Sequence, residues 1–199
     1  HMRQISARDK LGAGRVVNRG CGRRVIVGGT RRVREAPRHP QGRIGVISDT
    51  HGLIRPEALA FLRGCNLIIH GGDIGGSEVL DALSSIAPVT AVRGNNDTDP
   101  WADRLHQTEL IQVGEVLVYV IHDLAKIHTD CCAQGIRVVV SGHSHRPLIE
   151  EREGVLFINP GSAGRRRFKL PITIGELLVE GAHVTARIRD LEVARVAQL

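Results

Sequence analysis

From position 43 onward, short aliphatic and β-branched runs alternate with stretches of helical spacing, the pattern of stacked βα units. The runs at 44–48, 67–70 and 89–92 read as buried strands. Between them, 56–62 reads as a helix with Pro56 in its first turn, and 77–83 as a helix capped by Ser77. Past Trp101 the texture becomes more purely β, with strands at 110–113, 116–121 and 138–141 and a helix around 124–132. Two hairpins follow: 148–151 with 155–159 across Glu153-Gly154, and 172–179 with 184–188 across Gly181. No internal repeat is visible. The pattern predicts an α/β fold that begins at Arg43.

Composition narrows this picture. The chain has 199 residues, 42% of them hydrophobic, which suits one α/β domain with an appendage. No run approaches the roughly 20 apolar residues of a membrane span, so the expectation is a cytoplasmic protein without a membrane partner. Cys21, Cys65, Cys131 and Cys132 lack zinc-ribbon spacing and read as free thiols.

The net charge of +6 is unevenly placed. Residues 1–42 hold eleven Lys or Arg against Asp9 and Glu35, a local +9 that leaves −3 for the remainder. The basic character therefore belongs to an Arg/Gly-rich arm rather than to the domain at 43–199. Three readings of the arm stay open: an unstructured tail, a β-hairpin docked on the domain or on a partner, and a nucleic-acid-binding tail. Nucleic acid is expected as a partner only through this arm, because 3% aromatic residues leave little for base stacking.

Metal-binding residue types recur where apolar strands end, the place where α/β sheets gather their ligands. Asp49 and His51 follow the first strand, two apart, and in an extended chain point the same way. His70-Gly71-Gly72-Asp73 puts a carboxylate able to bridge two cations at the second strand's mouth. Gly94-Asn95-Asn96-Asp97 offers the neutral carbonyl of Asn95. His122 ends the strand 116–121, and His143 and His145 lie on one extended stretch after the strand at 138–141. Any one of these occurs by chance. Seven nitrogen and oxygen donors together, without a thiolate, exceed the four of a structural zinc site and suit two borderline divalent ions.

In this order, Asp-x-His, Gly-Gly-Asp, Gly-Asn-x-Asp, His and Gly-His-x-His resemble the calcineurin-like metallophosphoesterase superfamily over about residues 43–190. Asn159-Pro160-Gly161-Ser162 is similar to its small bacterial and archaeal phosphodiesterase subgroup. The resemblance implies two packed mixed β-sheets flanked by helices, a four-layer sandwich. It implies that Asp49, His51 and His145 hold one ion and Asn95, His122 and His143 the other, with Asp73 between them. It further implies two divalent cations, Mn²⁺ foremost with Fe²⁺, Ni²⁺, Co²⁺ or Zn²⁺ as alternatives, and hydrolysis of a small phosphate ester by a hydroxide between ions roughly 3.5–4 Å apart.

Asn95, Asn96 and Asp97 are the catalytic candidates. Asn96 stands where many members of the superfamily carry a His that protonates the leaving oxygen or contacts phosphate. An amide supplies no proton, so either a preference for good leaving groups or protonation by water or another group is expected. Asp123 replaces a Gly that often follows the matching histidine, either accepting from His122 or facing solvent. Arg93 and Arg165-Arg166-Arg167 suit a phosphate clamp, with a solvated charged face as the alternative. His70 either orients a site carboxylate or is a buried strand-end residue. The competing function is a non-catalytic metal-binding scaffold or interaction module of the same fold, and a homodimer is compatible with either.

Overall fold

The computed structural model describes residues 14–16, 34–35, 41–167 and 169–191. Twelve strands in two mixed sheets account for most of it. In the first sheet, β3 (Gln41–Ile47), β4 (Leu67–His70) and β5 (Val89–Ala91) are parallel, joined by α1 (Pro56–Leu62) and α2 (Ser77–Ser84). The antiparallel hairpin of β11 (Thr173–Glu180) and β12 (His183–Asp190) continues the sheet from β3. In the second, β6 (Thr108–Val113) pairs antiparallel with β7 (Val116–Ile121), β7 and β10 (Val155–Asn159) flank β8 (Val138–Val140) in parallel, and β9 (Leu148–Arg152) closes the edge.

The predicted arm contributes one short strand to each sheet. β1 (Gly14–Val16) runs antiparallel to β12, and β2 (Arg34–Glu35) runs parallel to β6. The three readings of the arm otherwise concern positions outside the described residues.

Alternation along the strands builds the layers, since successive side chains of a strand face opposite ways. Ile44 and Val46 of β3, with Leu67 and Ile69 of β4, meet Val116, Val118, Val120, Val138 and Val140 of the second sheet in the central core. The opposite face of β3 and β4, through Ile47 and Ile68, packs on Ala58 and Leu62 of α1 and on Val79, Leu80 and Leu83 of α2. The outer face of the second sheet, with Tyr119, Ile121 and Val139, is covered by Cys131 and Ile136. That cover is made of turns, so helices flank one sheet and a turn layer flanks the other.

Two local expectations are corrected. The predicted helix at 124–132 is a single 3-10 turn, Leu124–Lys126. Asp123 caps it by accepting from Ala125 N–H, and Asp130 then starts a separate turn by accepting from Ala133 N–H. Two such Asp side chains compete with helical hydrogen bonding and divide the segment. Ser77 is the first residue of α2 rather than its cap. Gly76 occupies the cap position, and no side chain bonds there. No helix among the described residues is long and apolar enough to cross a membrane.

Candidate metal centre

Every candidate donor leaves the end of a strand at one rim of the two sheets: Asp49 and His51 follow β3, Asp73 follows β4, Asn95 follows β5, His122 follows β7, and His143 and His145 follow β8. The loops after β3 and β4 stay laced together beyond the strands. Asp49 N–H donates to Gly72 O, His51 N–H to Asp73 O and Gly52 N–H to Ile74 O.

Among the described residues, six outside glycine have positive φ, and five of them are candidate donors: Asp49, His51, Asp73, His143 and His145, at 47° to 66°. The predicted extended geometry of Asp49-x-His51 and His143-x-His145 is therefore corrected; each donor sits on a left-handed turn. That conformation costs a residue with a Cβ roughly 1–2 kcal/mol and persists where function demands it. Here it turns five side chains toward one point.

The structure brings all seven predicted donors together. Ligating atoms of Asp49, His51 and His145 lie within 4.8 Å of one another, and so do those of Asp49, Asp73 and His122. Asp73 spans the two sides, with Oδ2 3.8 Å from His51 Nε2 and Oδ1 3.4 Å from His122 Nε2. Asn95 Oδ1 is 3.1 Å from His122 Nε2 and 2.9 Å from His143 Nδ1. A Cβ at Gly94 would collide with the Asp73 backbone, so glycine is needed for the Asn95 loop to approach.

The electrostatics suit cations. Asp49 and Asp73 are 0% and 2% exposed, and Asp49 Oδ1 is buried without a hydrogen bond, 3.2 Å from His145 Nε2. A buried carboxylate oxygen with no donor is costly unless a cation satisfies it, so the donor set fits divalent metal. Burial opposes ionisation of Asp73, yet bonds from His122 and from Asn96 N–H hold its carboxyl well below the usual range. Burial also opposes charging of His122. Its bonds with Asp73 and Gly71 O outweigh that and raise its pKa. Burial lowers the pKa of His51.

Several side chains hold this arrangement. His122 Nδ1 lies 2.7 Å from Gly71 O, a bond that aims Nε2 at the centre. Asn96 donates to Asp73 from its backbone N–H, at 2.9 Å, and from Nδ2, at 2.6 Å. Asp97, read from sequence as catalytic, has another part: it is 1% exposed, and its carboxylate accepts from the N–H groups of Ile74, Gly75 and Gly94, tying two site loops together. Asp123 caps the following turn. Arg93 donates to Asp97 O and to Asp103 Oδ1.

Sequence reasoning assigned no part to Asn159 or Ser162, although their motif was visible. Asn159 Nδ2 donates to Gly142 O and Ser144 Oγ in the His143–His145 loop, and Ser162 Oγ donates to Asp49 O. His70 is fully buried, with its pKa pushed down to about 3 by desolvation. Gly72 N–H donates to its Nδ1, so the ring proton lies on Nε2 and goes to Thr50 Oγ1, which itself donates to Ile74 O. This relay orients the residue between Asp49 and His51, and only the buried position of His70 hinted at it.

Beside Asn95 and His122 opens a cavity of about 520 Å³, lined also by Tyr119, Lys126, His128 and Thr129. Its volume falls within the range of small-molecule sites, and it joins the donor set directly.

Comparisons with known proteins agree with this geometry. The calcineurin-like phosphoesterase superfamily domain matches residues 43–181. A probable metallophosphoesterase of Methanothermobacter thermautotrophicus is 36% identical over 157 residues, 73% of this chain and 90% of that protein. A phosphodiesterase of Methanocaldococcus jannaschii is 27% identical over 159 residues, 69% of this chain and 93% of the other. Among solved structures, vacuolar protein sorting 29 from Cryptosporidium parvum shares the fold, with a TM-score of 0.67 at 20% identity over 78% of this chain and 94% of that one. The chain belongs to the calcineurin-like phosphoesterase superfamily, in its small archaeal and bacterial branch.

Proposed function

We propose that this protein is a phosphodiesterase with two divalent cations. The observation that carries the reading is the convergence of seven donors around two buried carboxylates, with Asp73 within 3.8 Å of His51 on one side and 3.4 Å of His122 on the other. Asp49, His51 and His145 would hold one cation and Asn95, His122 and His143 the other, with Asp73 between them. When bound, the cations supply charge neutralisation at phosphate oxygens and an acidified water as nucleophile.

The chain's own residues orient this chemistry. Asn96 holds both oxygens of Asp73, and His143 N–H holds Asp49 Oδ2 at 3.1 Å. The organic part of the ester fits the cavity beside Asn95 and His122, whose walls mix hydroxyl, imidazole and ammonium groups. Two features favour a diester: the relative named a phosphodiesterase, and an amide at position 96 in place of a proton donor.

Metal-stripped protein resupplied with Mn²⁺, assayed on bis(p-nitrophenyl) phosphate and on p-nitrophenyl phosphate, tests the proposal. Metal-dependent turnover faster on the diester is expected. Faster monoester turnover would overturn the diester assignment, and cation binding without turnover on either would assign a scaffold instead.

A further inference from the structure

Arg165, Arg166 and Arg167 are exposed, yet the segment carrying them is fastened to the site. Ser162 Oγ donates to Asp49 O at 2.9 Å and Ala163 N–H to Ser48 O at 3.1 Å. Arg55 donates to Gly164 O from Nε and Nη2, at 3.3 and 3.1 Å. A Cβ at Gly164 would collide with the carbonyl oxygens of Asp49 and Thr50, so glycine alone lets this segment lie against the first site turn. The Arg run is thereby held at the mouth of the centre.

From there Arg167 Nη2 stands 3.3 Å from His51 Nε2. A guanidinium has no acceptor and stays charged, so Arg167 donates and the imidazole lone pair accepts. No carboxylate pairs with Arg167 among the described residues. The same His51 nitrogen faces His145 Nε2 at 3.4 Å and Asp73 Oδ2 at 3.8 Å, inside the donor set. One lone pair cannot hold both an arginine proton and a cation. Arg93, which lines the cavity beside Asn95, already donates to Asp97 O and Asp103 Oδ1.

We infer that cation binding at His51 releases the Arg167 guanidinium, which then binds a non-bridging oxygen of the substrate's phosphate. The inference rests on the proposed metal centre and adds a phosphate-binding residue to it. A planar fork of N–H donors suits a phosphate oxygen pair, and the guanidinium begins 3.3 Å from a nitrogen of the donor set. The arrangement links loading to substrate capture, because the clamp becomes available as the cation arrives.

The test is calorimetric: the full chain is titrated with Mn²⁺, and the loaded protein is then titrated with inorganic phosphate. Wild type is compared with Arg167→Ala, Arg167→Lys and Arg152→Ala, the last at the end of the β9–β10 hairpin away from Asn159 and paired with Glu150. Arg167→Ala is expected to bind Mn²⁺ about threefold more tightly, since a competing bond and a like charge are gone. Its phosphate affinity is expected to fall roughly ten- to hundredfold. Arg167→Lys should recover part of that loss, and Arg152→Ala should change neither quantity. Phosphate affinity of Arg167→Ala within about twofold of wild type, weaker Mn²⁺ binding by that variant, or an equal phosphate loss in Arg152→Ala would each overturn the inference. Wild type that binds no Mn²⁺ would overturn the metal centre as well, and is thereby told apart from a failure of Arg167 alone.

Discussion

Asn96 donates twice to Asp73, so its amide fixes a carboxylate and offers no proton to a departing alcohol. Replacing it with His tests both consequences. Asn96→His is expected to raise turnover of a diester with an alkyl leaving group by roughly tenfold or more, short of the full effect of about 10²–10⁴ of an evolved general acid, while a p-nitrophenyl ester changes little. Equal rates for wild type and variant on the alkyl ester would remove the leaving-group argument. The same residue-scale logic separates Asp97 from catalysis. Asp97→Asn should lower stability by about 2 kcal/mol, because three backbone N–H groups share its carboxylate, and should leave the dependence of rate on leaving group unaltered. Urea unfolding and a series of substituted aryl esters read the two outcomes.

At the scale of elements, the site is a set of loops held by strand ends. Asn159, last residue of β10, fastens the His143–His145 loop through Gly142 O and Ser144 Oγ and accepts from Gly161 N–H. Asn159→Ala removes these three bonds and takes from the buried Gly161 N–H its acceptor, while Gly142 O keeps Ser144 N–H, and is expected to cost about 2 kcal/mol of stability. It should also weaken Mn²⁺ binding, which a titration would show; unchanged affinity would mean the loop holds itself. Strands and donors were legible in the sequence because apolar runs such as 116–121 and 138–140 are followed within three residues by His122 and His143. The left-handed turns were not legible, since Asp49-x-His51 fits an extended chain equally well until pairing with the 72–74 segment bends it. The segment 124–132 has helical spacing, and only the capping geometry of Asp123 and Asp130 shows why it breaks. The relay from Gly72 through His70 and Thr50 to Ile74 depends on tertiary contact and leaves no sequence pattern.

For the whole molecule, His70 makes stability depend on pH. Its folded pKa is about 3 against an ordinary 6.5, so below 6.5 the unfolded chain binds a proton that the folded one does not. Its contribution is fully present above pH 6.5 and is lost as pH falls from there toward 3, by up to roughly 1.4 kcal/mol per unit. Asp73, with its depressed pKa, acts in the same direction in the acid range. Urea unfolding at pH 7, 6 and 5 should show a shallower loss in His70→Gln than in wild type; parallel slopes would contradict a buried neutral His70. The central claim, that one rim of the two sheets holds two cations with Asp73 between them, is tested most directly by counting Mn²⁺ bound at saturation to metal-stripped wild type and to Asp73→Asn. Asparagine tolerates the left-handed backbone there and removes the charge. The account predicts two ions per chain in wild type and at least one fewer in the variant; a single ion in wild type, or two in both, would contradict it.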